Sequence, residues 1–275
     1  MSLNSAELNN KMKKFLVLFT ALLVLSSCSE YQKALKSEDV AVKYAAAEKM
    51  YETKKYGKAI RLFEQIAPTS KGKPSAEKMF YMYSQSLYKT DQYYLSGYQF
   101  ESFVASYPKS EKIEEASFLG AKSFTFLSPV YSLDQVDTYK AIDKLQNYID
   151  AYPEGQNLAE ANSLVKALRE KLEKKAYENA KIYHNISDYK AAIVAFDNFL
   201  INYPGTSYRE KALYFKFNAA YLLAINSVPS KMKERLENAK NAHAGLMKFK
   251  ADTEYKGKAD VMLARIENDL KQYSK

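Results

Sequence analysis

The sequence holds one cysteine, two histidines and no tryptophan in 275 residues. A single thiol rules out an internal disulfide and any multi-thiolate metal site. His184 and His243 lie far apart, in no metal-ligand spacing. His184, at a helix end beside Tyr183, is expected to be exposed or capping. Glycine and proline are scarce, at 8 and 7 residues. They form no phosphate-cradling loop and no Gly-x-Ser-x-Gly elbow. Acidic pairs such as Glu114-Glu115 read as helix-surface carboxylates, and no titratable set converges on a reacting centre. The sequence argues against an enzyme and calls for no cofactor and no metal.

What is present favours helix: alanine, lysine, leucine and glutamate are common. Tyrosine is unusually frequent, at 24 residues. It joins an apolar ring to a polar tip and suits grooves that are half core and half binding surface. The formal net charge of +9 falls to about +7 once the N-terminal signal is discounted. Lysines are spread around every helix, and no RNP or zinc-finger pattern occurs, which argues against nucleic acid as a partner. In an exported protein a basic balance fits anionic lipid headgroups or an acidic protein.

Long apolar runs are limited to one. Lys11, Lys13 and Lys14 precede Phe15–Leu25, which is too short to span a bilayer comfortably. Leu25-Ser26-Ser27-Cys28 follows and resembles the bacterial lipobox, in which the cysteine thiol is acylated and becomes the first residue of the mature chain. That chemistry needs a thiol for the thioether and small residues before it for peptidase access. Residues 1–27 read as a lipoprotein signal peptide, compact from the candidate initiator Met12 onward. Residues 28–39 read as a lipidated polar tether. Ser29, where a retained lipoprotein has Asp, favours the outer membrane, with the body facing the periplasm. Two or more acyl chains on Cys28 would anchor the chain stably, where one binds only marginally.

The rest repeats itself. In Tyr177–Thr206, Tyr177, Ala180 and Tyr183 share one helical face, Asn185, Ser187 and Asp188 supply a turn, and Ala192, Phe196 and Phe199 form a second stripe before Pro204-Gly205. Tyr-Pro pairs at Tyr107, Tyr152 and Tyr203 each close such a second helix. Ahead of each stands a small residue (Ser96, Ala141, Ala192), then a large apolar one (Phe100, Leu145, Phe196), then an aromatic (Phe103, Tyr148, Phe199). This is the tetratricopeptide (TPR) pattern, stretched beyond its period of about 34 residues. The excess lies in an insertion at Ser128–Asp137 and in Asn157–Leu172, which extends a first helix. The charges of Lys166–Lys175 read as that helix's solvated face. Pro68 is expected to close the second helix of the first hairpin. The fold class is all-α: a TPR-like right-handed solenoid of about five hairpins with a C-terminal capping helix, Asp252–Tyr273. Residues 40–155 take hairpins one to three, and residues 156–275 take hairpins four, five and the cap.

Three features resemble the BamD family of TPR lipoproteins in outer-membrane β-barrel assembly. Tyr183…Asp188-Tyr189-x-Ala191-Ala192-Ile193-x-x-Phe196…Tyr203-Pro204-x-Thr206 resembles its fourth repeat, although members often carry Arg-Gly where this chain has Ile186-Ser187. Asp134-Gln135 and Thr138, followed by Ala141, resemble a loop in its third repeat. Tyr88…Tyr93…Phe103…Tyr107-Pro108 resembles its second. The resemblance implies a non-enzymatic scaffold. Its N-terminal hairpins would hold extended segments of unfolded outer-membrane proteins in a groove, with Tyr83, Tyr88, Tyr93 and Tyr94 as candidates. Its C-terminal hairpins would dock the POTRA region of a BamA-like barrel protein through Tyr183, Asn185, Asp188 and Tyr189. Acylated Cys28 would hold both at the membrane. The alternative is another TPR lipoprotein acting as an adaptor for a cell-envelope complex.

Overall fold

The computed structural model describes residues 30–273; Cys28 and the signal lie outside them. Every regular element among the described residues is a helix. They run α1 (30–36), α2 (Val40–Glu52), α3 (Tyr56–Ser70), α4 (Ala76–Lys89), α5 (Tyr93–Ser106), α6 (Ile113–Thr125), α7 (Val136–Ala151), α8 (Leu158–Asn185), α9 (Tyr189–Asn202), α10 (Arg209–Ile225), α11 (Pro229–Phe249) and α12 (Lys256–Lys271). The chain is all-α and TPR-like. Its contacts divide it into two units. Among the described residues, one holds 30–128 with 137–162, and the other holds 129–136 with 163–273. In the first unit α2 to α6 pack successively; in the second, α9 to α12 do.

One register builds the hairpins. Ala59, Ser96, Ala141 and Ala192 are each fully buried, and so are Phe63, Phe100, Leu145 and Phe196 four residues on. Seven residues on, Ile66, Phe103, Tyr148 and Phe199 are at most 3% exposed. The closing tyrosine then folds back on that last ring. Centroids lie 5.2 Å apart for Phe103–Tyr107, 5.4 Å for Tyr148–Tyr152 and 5.3 Å for Phe199–Tyr203. The close approach is visible where α5 meets α6. A Cβ on Gly97 would stand 2.8 Å from the Phe124 ring, and one on Gly120 would stand 3.0 Å from Phe100 Cβ. Ser96 Oγ donates to Ser84 O at 3.3 Å and accepts from Ser123 Oγ at 3.2 Å, so these buried hydroxyls are partnered.

Three of the turns inside hairpins are also copies. Lys54, Asp91 and Ser187 have φ of 58°, 59° and 64°. The next amide bonds back to the helix in each case: Lys55 N to Met50 O at 2.8 Å, Gln92 N to Leu87 O at 3.0 Å, Asp188 N to Tyr183 O at 2.9 Å. The left-handed residues' own amides reach Tyr51 O, Tyr88 O and His184 O. These are Schellman motifs, which satisfy the last carbonyls of a helix and reverse the chain.

The structure departs from the sequence reading at several points. Pro68 does not close its helix: α3 runs through it to Ser70, whose Oγ donates to Ile66 O at 2.7 Å and holds the last turn. The stretch read as polar tether is helical over 30–36, with Tyr31 and Ala34 buried in the first unit's core. The Lys166–Lys175 run is not all solvated face. Lys175 Nζ donates to Leu133 O at 2.7 Å, and Lys174 Nζ lies 4.4 Å from the Tyr131 ring centre. The insertion they grip is ordered from within by Gln135, buried and donating to Val130 O and Leu133 O, both at 2.9 Å.

The fifth hairpin carries the register as Ala239, His243, Leu246, all buried. An imidazole thus stands where the other hairpins have Phe or Leu. It meets Phe217 edge-on, at 5.3 Å and 70°. Burial lowers the His243 pKa, against the upward pull of Asp260, whose Oδ1 is 3.8 Å from Nε2. The unfolded imidazole titrates near 6.5 and the folded one lower. The unfolded chain therefore binds the extra proton first, and stability falls as pH drops below about 6.5. His243→Phe should remove this component. In urea titrations at pH 7.5 and 5.5, wild type should lose on the order of 1 kcal/mol more than the variant. An equal loss in both would show that His243 adds no pH dependence.

Candidate functional site

Two surfaces carry exposed chemistry. The first lies in the first unit, where the end of α4, the start of α5 and the end of α6 meet. The α4–α5 turn sets Tyr88 and Tyr93 edge to face at 5.7 Å. Phe126, just past α6, stacks on Tyr93 at 4.1 Å and 16°. Tyr94, next to Tyr93 in sequence, pairs with Tyr98 one turn further along α5, at 5.0 Å. Lys140 Nζ donates to Tyr98 Oη at 2.5 Å, and that bond lowers the Tyr98 pKa. Tyr93 donates to Asp91 Oδ1 at 2.6 Å, which pushes its pKa up to about 12, so it stays a neutral donor. Tyr94, Tyr98 and Phe126 are 59%, 40% and 49% exposed. Water on so many ring faces is costly, and apolar or aromatic side chains laid across them would relieve that cost.

Of the candidate tyrosines, Tyr88, Tyr93 and Tyr94 belong to this strip. Tyr83 does not reach it. It is buried, with its ring 6.0 Å from Phe63. Tyr98 and Phe126 were absent from the sequence reading. Tyr98 stands one helical turn from Tyr94, a spacing that marks a shared face. Phe126 caps α6 with near-helical backbone, φ −74° and ψ −17°, so two positions on from the buried Phe124 it faces the other way.

The second surface is the α8–α9 turn, in the second unit. Tyr183, Asn185, Asp188 and Tyr189 all sit on it. Asp188 caps α9 by accepting from Ala191 N at 3.1 Å. Tyr189 donates to Ser187 Oγ at 3.2 Å. Tyr183 and Asn185 are exposed, as are Ile182 and Ile186 at 52% and 66%. His184, between them in sequence, is only partly exposed. It shares a 2.5 Å hydrogen bond with Asn218 Oδ1 and packs edge-on against Tyr189 and Phe215. It is a packing residue rather than a cap. Ser187 keeps the left-handed turn that glycine adopts without strain. The Ile186-Ser187 sequence therefore changes the side chains on the turn and not its backbone course.

Among the described residues no three His, Cys, Asp or Glu side chains gather as a metal site, and no helix is long and apolar enough to cross a membrane. The helical hairpins and the N-terminal acylation signal together define a TPR-like lipoprotein. The profile of the family described as outer membrane lipoprotein, YfiO, matches residues 36–236, and that of the prokaryotic membrane lipoprotein lipid attachment site matches residues 12–29. The chain belongs to this outer membrane lipoprotein family and is a lipid-anchored outer-membrane protein. It is 24% identical to a BamD-type outer membrane protein assembly factor of Aquifex aeolicus over 94% of this chain and 84% of that one. It is 23% identical to the outer membrane protein assembly factor BamD of Rickettsia prowazekii over 79% and 89%. A Podosopora anserina kinesin-light-chain structure with TPR-like repeats aligns over 78% of this chain and 98% of its own, at 12% identity and a TM-score of 0.32. That score is too low to add to the fold read from the helices.

Ser187→Gly should stabilise the chain by about 1 kcal/mol, because a non-glycine residue at positive φ is strained. The check is the urea midpoint. An unchanged or lower midpoint would mean that the Tyr189–Ser187 bond offsets the strain.

Proposed function

We propose that the chain is an outer-membrane protein assembly factor: a non-enzymatic scaffold, acylated at Cys28 and facing the periplasm. Its first unit takes extended, aromatic-bearing segments of unfolded β-barrel precursors on the strip of Tyr88, Tyr93, Tyr94, Tyr98 and Phe126. Its α8–α9 turn docks the POTRA region of a BamA-like barrel protein through Tyr183, Asn185, Asp188 and Tyr189. The observation that carries the reading is the exposed strip in a chain of this family. Rings that stack on one another keep their shape, and they lose little entropy when a peptide covers them. The family match and both curated relatives support the assembly role. The exposed isoleucines beside Tyr183 supply the apolar area that a docked domain would cover.

A photo-crosslinking residue at Phe126 should capture unfolded barrel precursors in growing cells. In mild detergent a POTRA-bearing barrel should co-purify with the lipidated chain, and Tyr183→Ala with Ile186→Lys should cut its yield at least roughly tenfold. A crosslinker that captures no barrel precursor overturns the strip assignment. Absence of the barrel from the wild-type extract leaves an adaptor for another envelope complex.

A further inference from the structure

The α8–α9 turn offers a docked domain little area. A stable interface covers about 800 Å² on each partner, over roughly 20–30 residues, and the turn's exposed apolar side chains are Ile182, Tyr183 and Ile186. A domain seated there therefore touches the second unit beyond the turn. The insertion 129–136 belongs to that unit.

The insertion is built inside out. Val130, Leu133 and Val136 are 64%, 57% and 67% exposed, while Gln135 among them is buried. Its backbone is bonded from within. Beside the bonds from Gln135 and Lys175, Leu133 N donates to Val130 O at 3.1 Å and Val136 N donates to Asp134 Oδ1 at 2.9 Å. Three aliphatic side chains thus stand in water on an ordered frame. A partner that covered them would lose little entropy in ordering the loop.

Its place on α8 joins it to the turn. Lys174 and Lys175 hold the insertion. Lys175, Asn179, Ile182 and Ile186 follow one another at i, i+4, i+7 and i+11, on one helical face. Lys175 and Ile182 are about 10 Å apart along the helix axis, so one small domain spans both.

Charge narrows the partner. Asp134 is exposed, Asp137 follows in sequence, and residues 123–139 contain no lysine or arginine, in a chain of net charge +9. Lys174 and Lys175 are already engaged with the loop. Anionic headgroups would be repelled here. An apolar site with a lysine or arginine at its rim would be complementary.

We propose that Val130, Leu133 and Val136 are a second contact for the folded domain that docks on the α8–α9 turn. They enter an apolar site on that domain, and Asp134 meets a lysine or arginine at its rim. The inference rests on the docking reading. Binding of the purified POTRA region to the full-length lipidated protein is measured in neutral detergent. Leu133→Ser/Val136→Ser should weaken it at least roughly tenfold, with the thermal midpoint unchanged because both side chains are exposed. Val228→Ser/Val261→Ser, which removes exposed aliphatic groups elsewhere on the second unit, should not. Asp134→Lys should weaken it severalfold, and added salt should narrow the gap from wild type. A photo-crosslinking residue at position 133 should capture the POTRA region. Wild-type protein that binds no POTRA region overturns the docking reading and this inference together. If Tyr183→Ala/Ile186→Lys weakens binding and Leu133→Ser/Val136→Ser does not, the docking reading stands and the insertion's part in it is overturned. Capture of a second copy, or of phosphatidylglycerol added to the detergent, in place of the POTRA region also overturns the proposal.

Discussion

Each hairpin depends on a residue that is nearly absent. Ala59, Ser96, Ala141 and Ala192 have almost no side chain, and each is fully buried. Their lack of bulk lets a helix approach its neighbours closely enough for the ring or leucine four residues on to be enclosed on all sides. Each enclosed side chain contributes roughly 2–3 kcal/mol of burial. A large residue at the small position would separate the helices and expose the rings they enclose. The closing tyrosines use the same geometry, laying their rings on the aromatic at the end of each repeat.

Regularity in the core leaves chemistry to the places where repeats end. The helix-reversing turns are fixed by backbone bonds, so their side chains are free to vary. Lys54 sits in one such turn, among the lysines that face α1. Asp91 sits in another and holds Tyr93 in its stack. Ser187 sits in a third, among exposed isoleucines. One backbone device thus presents three surfaces of different character. The aromatic strip has a related origin. Rings in register are buried by the next helix, and Tyr94, Tyr98 and Phe126 fall out of register and stay exposed.

Sequence periodicity shows whatever obeys the register. The helices, the small-large-aromatic spacing, the long α8 and the lipidation signal were all legible because each repeats or is chemically distinctive. The exceptions have identifiable causes. His243 was hidden because a polar residue type occupies an apolar position, and only the spacing from Ala239 to Leu246 reveals it. Pro68 was read as a stop because it lacks an amide, but Ser70 back-bonding carries the helix two residues further. Tyr31 looked like part of a tether because one buried ring and one alanine do not make a period. Tyr83 was placed in the groove because tyrosines on one helix look alike in sequence, while burial depends on which face meets Phe63. The position of the α8–α9 turn was legible from Asn185, Ser187 and Asp188. The strip was read in part, because Tyr98 and Phe126 lie outside the repeat register and no period marks them.

The central claim is that precursor binding and partner docking use separate surfaces of one scaffold. The direct test measures both affinities in the same purified lipidated proteins. Tyr93→Ser/Phe126→Ser should weaken binding of a urea-unfolded barrel protein at least roughly tenfold and leave POTRA binding unchanged. Tyr183→Ala/Ile186→Lys should do the reverse. Parallel loss of both affinities in either variant, with folding intact by circular dichroism, would contradict the separation.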